Sequence, residues 1–123
     1  MSALILKESK NTPEVILDPD LGKFGIKGKC FPENSKIFFA LIMDWFTFAK
    51  INHSCQIEVS LDYINSSSVI GVLELFRHID KCSETGGYKV SINWLYEDGD
   101  DDSANVAMNY QKLCKLNIFI KSY

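Results

Sequence analysis

Apolar and polar positions alternate in period along this chain, and the changes of period predict its elements. A short apolar piece at Leu4 to Leu6 comes first, and Thr12-Pro13 punctuates it. Glu14 to Leu17 and Lys23 to Lys27 then flank the turn-rich Asp18-Pro-Asp-Leu-Gly22, which predicts a hairpin. Pro32-Glu-Asn-Ser35 offers a helix start with Asn34 or Ser35 as cap, followed by Ile37, Phe38, Leu41, Ile42, Trp45, Phe46 and Ala49 on one broad face. From Gln56 to Tyr63 the period drops to two. Ile57, Val59, Leu61 and Tyr63 point one way; Gln56, Glu58, Ser60 and Asp62 point the other.

A second helical stripe runs through Val69, Val72, Leu73, Phe76 and Ile79 and stops before Gly86-Gly87. Tyr88, Val90, Ile92, Trp94 and Tyr96 mark another strand, Ala104 to Leu113 a weaker helix, and Leu116, Ile118 and Ile120 a last strand. Strand, helix, strand, helix, strand predicts at least partly parallel pairing. Alternating strands, in place of continuous apolar runs, predict helices mainly on one face of the sheet and water on the other. No repeat, linker or low-complexity tract divides residues 1–123, so the expectation is one α/β domain with a mixed β-sheet.

Composition fits that picture: 123 residues, 46% hydrophobic and 24% charged, suit one ordinary folded domain. A net charge of -3, scattered lysines and a single arginine, Arg77, speak against a phosphate-backbone binder, so no nucleic acid is expected. The opening MSALILKESK holds four consecutive apolar residues before a charge, too few for a secretory segment or a membrane span, which predicts a cytoplasmic protein without membrane insertion. Cys30, Cys55, Cys82 and Cys114 form no Cys-x-x-Cys pair, and with His53 and His78 they complete no zinc pattern; reduced, partly buried thiols follow.

Little else carries chemistry. The acidic run Glu97-Asp-Gly-Asp-Asp-Asp102 lacks the spacing of a calcium loop and reads best as a solvated helix start, with Mg²⁺ binding by a small enzyme as the rival reading. No phosphate-binding glycine loop or nucleophile elbow is present, so neither a cofactor nor catalysis is expected. Phe48 lies off the main stripe of the first helix and is a candidate interface residue. Asn65-Ser-Ser-Ser68 sits where a strand ends and a helix begins. One of these side chains can cap the helix, yet capping does not require three hydroxyls. A phosphate there would add about -1.5 to -2 charges at a helix end that favours anions, leaving the fold intact while its surface changes.

Several segments together resemble one family. Thr12-Pro13 before a strand, Gly28-Lys-Cys-Phe-Pro-Glu-Asn34, Trp45, Tyr63-Ile-Asn-Ser-Ser-Ser68 and Trp94-Leu-Tyr-Glu97 before acidic residues look like the SiaC family of bacterial regulatory phosphoproteins. The resemblance implies a fold like the STAS domains of anti-sigma-factor antagonists and a non-enzymatic partner switch. In that scheme a cognate Ser/Thr kinase of the histidine-kinase-like ATPase fold phosphorylates a hydroxyl at a helix start. A PP2C-type phosphatase removes the phosphate. The downstream effector is in some members a diguanylate cyclase, which ties them to cyclic di-GMP and biofilm behaviour. The family's phosphoacceptor threonine falls on Ser66, with Ser67 and Ser68 as alternatives, and Tyr63, Asn65, Ser67, Ser68, Glu33 and Asn34 become partner-binding candidates. One departure stands out: where the family often has a lysine after the serines, this chain has Val69-Ile70. A constitutive binding module that has lost the switch is therefore the second reading.

Overall fold

A computed structural model describes every residue except Met1 and His53; the histidine named above at position 53 thus lies outside the described residues. The elements run β1 (Leu4–Leu6), β2 (Glu14–Asp18), β3 (Lys23–Cys30), α1 (Ser35–Phe48), β4 (Cys55–Ile64), α2 (Ser66–Gly86), β5 (Val90–Tyr96), α3 (Asp101–Leu113) and β6 (Asn117–Ser122). The six strands lie in the sheet in the order of the sequence. β1, β2 and β3 pair antiparallel, as a hairpin around Asp18 to Gly22 requires, whereas β3, β4, β5 and β6 pair in parallel. Each parallel step needs a crossover, and the three helices supply them.

One row of side chains crosses the whole sheet. Leu6 faces Val15, Val15 faces Ile26, Ile26 faces Val59, Val59 faces Trp94 and Trp94 faces Ile120. This face packs against the helices. Phe38, Phe39, Ile42 and Phe46 of α1, Val72, Leu75, Phe76 and Ile79 of α2, and Ala107 and Tyr110 of α3 are buried with it. Trp94 is fully enclosed, edge-on to Tyr110, and its Nε1 donates to Ser103 Oγ at 3.0 Å, so the one polar atom of the largest core side chain is satisfied. The opposite face is wet: Lys27 pairs with Glu58 at 3.2 Å, and Gln56 donates to Asn93 at 3.3 Å. Helices on one face and water on the other match the period-two strands.

Two expectations shift in detail. The buried face of α1 centres on Phe38, Phe39, Ile42 and Phe46, which leaves Ile37 and Leu41 exposed, although the periodicity puts both on the packed stripe. Apolar residues surround much of this helix, so its periodicity fixes the element better than its rotation. Tyr63, expected to point with Ile57, Val59 and Leu61, is exposed instead. Gly28 pairs with Leu61 and the next residue, Lys29, with Tyr63, so Asp62 is an extra residue in β4. A bulge of one residue turns the following side chains to the opposite faces, and here it sends Tyr63 outward.

Candidate functional site

The serine run opens α2 at the end of β4. Asn65, in extended conformation, is the cap, its Oδ1 accepting from the Ser68 amide at 3.0 Å and from Ser67 Oγ at 3.3 Å. The helix end is therefore served by asparagine, and none of the three serines is needed to cap it. Ser66 and Ser67 are exposed, in the first turn, where unpaired amides carry the positive end of the helix dipole. Ser68 differs from both. It is fully buried, beside the Cys30 thiol but without the geometry of a full hydrogen bond, and burial pushes that thiol's pKa up while the serine hydroxyl eases the shift.

The bulge, one backbone tie and one aromatic contact bring the other candidates alongside. The Asn65 amide donates to the Cys30 carbonyl at 3.2 Å, joining the start of α2 to the end of β3. The Phe31 and Tyr63 rings meet edge-to-face at 5.5 Å. Glu33 and Asn34 follow Phe31 after Pro32 and are exposed; Asn34 caps α1 by accepting from the Ile37 amide at 3.1 Å. The loop carrying Glu33 and Asn34 thus lies next to the turn carrying Tyr63 and Asn65.

A groove on each side borders the serine run. On the α1 side, Ser35, Lys36, Ala40 and Met43 face Ser67, Ile70, Gly71 and Glu74. Ile70 is 60% exposed there, an apolar side chain where a lysine would present charge. On the α3 side, Asp62, Tyr63 and Val69 face Asp100, Asp102 and Ser103. The acidic run is thereby placed. Asp100 caps α3 by accepting from the Ser103 amide at 3.1 Å, and Asp101 and Asp102 occupy the first turn, as expected of a helix start. Among the described residues no three carboxylate, histidine or cysteine side chains converge as metal ligands.

His78 lies against α1, with Nε2 2.8 Å from Thr47 Oγ1 and 3.0 Å from the Met43 carbonyl, which makes it a helix-packing residue. Phe48 is 79% exposed, as its place off the stripe suggested. No local signal marks the Cys30 and Ser68 contact, because it arises only when the end of β3 and the first turn of α2 are brought together in the fold. The four cysteines are free, Cys30 and Cys55 buried and Cys82 and Cys114 partly so. No helix among the described residues is long and apolar enough to cross a membrane.

Known proteins share this fold. Residues 6–123 match the model of the SiaC family of regulatory phosphoproteins. An uncharacterised protein of Pseudomonas aeruginosa strain UCBPP-PA14 is 25% identical over 125 residues, covering 100% of this chain and 98% of that protein. A solved structure of SiaC of Pseudomonas aeruginosa superposes with a TM-score of 0.83 at 23% identity, with both chains covered in full. A chain in the crystal structure of the diguanylate cyclase SiaD in complex with its activator SiaC, from the same species, matches with a TM-score of 0.81 at 22% identity, over 98% of this chain and 99% of that one. The structural matches speak for a shared fold, and the family match spans nearly the whole sequence: this chain belongs to the SiaC family of regulatory phosphoproteins.

Proposed function

We propose that this protein is a cytoplasmic, non-catalytic partner switch controlled by phosphorylation at Ser66. A cognate Ser/Thr kinase adds the phosphate and a PP2C-type phosphatase removes it, and the modification state governs binding to an effector, a diguanylate cyclase by analogy with the SiaC–SiaD complex. The observation that carries the reading is the division of labour at the start of α2: Asn65 caps the helix, which leaves the exposed Ser66 hydroxyl free of any structural duty. A phosphate there meets first-turn amides, worth about 0.3 to 1 kcal/mol at an exposed helix end, so modification leaves the fold standing and alters the surface between the two grooves. Ser67, also exposed, is the alternative acceptor; Ser68, enclosed beside Cys30, is open to a kinase only if the first turn of α2 unwinds.

Incubation with ATP and the cognate kinase, followed by intact-mass and peptide mapping, tests the reading. One added phosphate that disappears in Ser66→Ala supports it. Phosphorylation elsewhere with an unmodified Ser66 peptide overturns the assignment. A second reading, a binding module that works without the switch, is favoured by Ile70, which puts an apolar side chain beside the serines where the family often has a cation. On that reading Ser66→Asp leaves effector affinity unchanged.

A further inference from the structure

The outward side of α1 carries a feature that the serine site does not use. Ile37, Leu41 and Phe48 are 63%, 48% and 79% exposed, and with the exposed Asp44 they follow one another at steps of four, three and four residues. That spacing is the a and d seam of a heptad, the pattern by which one helix packs lengthwise on another. Three large apolar groups in a line on an exposed helix face are more than the scattered apolar residues of an ordinary surface. Ala40, at a flanking position of the seam, also lines the groove toward Ile70, so the apolar strip continues to the edge of α2.

Asp44 decides what can cover the strip. In a parallel pair of copies of this chain Asp44 would lie against Asp44, two like charges in one seam. In an antiparallel pair it would lie against Leu41 of the other copy, a carboxylate pressed on an apolar side chain with no partner. Either arrangement penalises self-association. A partner helix with apolar residues opposite Ile37, Leu41 and Phe48 and a lysine or arginine opposite Asp44 satisfies both the shape and the charge. We infer that α1 is a docking surface for an amphipathic helix of a partner protein that carries a basic residue in its apolar seam. The surface centres on the outward side of α1 and adjoins the groove that Ser67 lines; its test uses the unmodified chain, so its failure leaves the phosphoswitch untouched.

Two fluorescently labelled synthetic helices of about three heptads, with leucine at the seam positions and either lysine or glutamate opposite Asp44, are titrated with the full chain and followed by anisotropy. The lysine peptide is expected to bind about tenfold more tightly than the glutamate peptide. Asp44→Lys is expected to invert that preference, and Phe48→Ala to weaken both peptides. All of these positions are exposed, and circular dichroism confirms that each variant keeps the parent fold. Equal affinity for the two peptides, a preference untouched by Asp44→Lys, or a dimer of the chain that Leu41→Asp dissolves would each overturn the inference.

Discussion

Tyr110 of α3 donates its phenolic hydrogen to the carbonyl oxygen of Val69, in the first turn of α2, at 2.6 Å. The bond crosses from the last helix to the helix that carries the serine run. Burial raises the Tyr110 pKa strongly, so the phenol stays a donor throughout the physiological range. Tyr110→Phe keeps the edge-to-face contacts with Phe76 and Trp94 and removes only the donor. Val69 remains in the helical ladder, so the expected loss is about 0.5 to 1.5 kcal/mol in urea unfolding, with faster amide exchange in the first turn of α2. Unchanged exchange at Ser68 and Val69 would show that the bond does not hold that turn.

Asn65→Ala removes the acceptor for the Ser68 amide and for Ser67 Oγ. Loss of such a cap is expected to lower stability by about 1 kcal/mol, measured by chemical unfolding. Asn65→Asp keeps the acceptor and adds a favourable charge at the helix start, so it should match or exceed the parent. An alanine variant as stable as the parent would mean that a neighbouring serine can take over the cap.

Gly71 owes its identity to Phe39. A Cβ at position 71 would overlap the Phe39 ring, which is itself buried in the core. Gly71→Ala gains about 1 kcal/mol of helix propensity and loses about 1 to 3 kcal/mol through overpacking, so a net destabilisation is expected. The thermal midpoint checks the sign, and a stabilised variant would show that the Phe39 ring can move aside without loss.

Ile70→Lys restores a cation to the groove beside Ser66 and Ser67. An exposed ion pair with a phosphate is worth about 0.2 to 1 kcal/mol, so phosphorylation should raise the thermal midpoint of this variant more than that of the parent. Equal responses in the two proteins would place the phosphate out of reach of position 70.

Burial pushes the Cys55 thiol from 9.0 to about 11. Below pH 9 the thiol is protonated in folded and unfolded chains alike, and its contribution is fully present. Above pH 9 the unfolded chain releases this proton while the folded one keeps it, so stability falls as the pH rises toward 11. Tyr88, raised by burial from 10.0 to about 12, extends the decline. Cys55→Ala lowers stability at neutral pH by opening a cavity, yet its alkaline slope between pH 9 and 11 should be shallower than the parent's. Parallel slopes would remove Cys55 as a source of the decline.

Much of this architecture was legible from periodicity, because the signals that form β4, α2 and β5 agree with one another. Ile57, Val59 and Leu61 alternate inward as read, and Gly87 in left-handed conformation ends α2 where the glycine pair suggested. α1 was located and its rotation was not, since Ile37 and Leu41 are as apolar as the residues that pack inward. Hydrophobicity alone cannot separate a core face from a docking face on the same helix. Tyr63 was misdirected by the bulge at Asp62, which depends on pairing with β3 and leaves no local mark in the sequence. At the serine run the sequence offered a cap and a surplus. Assigning the cap to Asn65 and enclosing Ser68 took the three-dimensional neighbourhood of Cys30.

Because the strands stand in the sheet in the order in which they are synthesised, each one leaving the ribosome finds its neighbour already present. α2 can settle against α1 and β5 before β6 exists, but Tyr110 reaches Val69 only once α3 has been made. The turn that carries the serines therefore acquires its last brace late, and a nascent chain presents that segment in a looser form than the finished protein does.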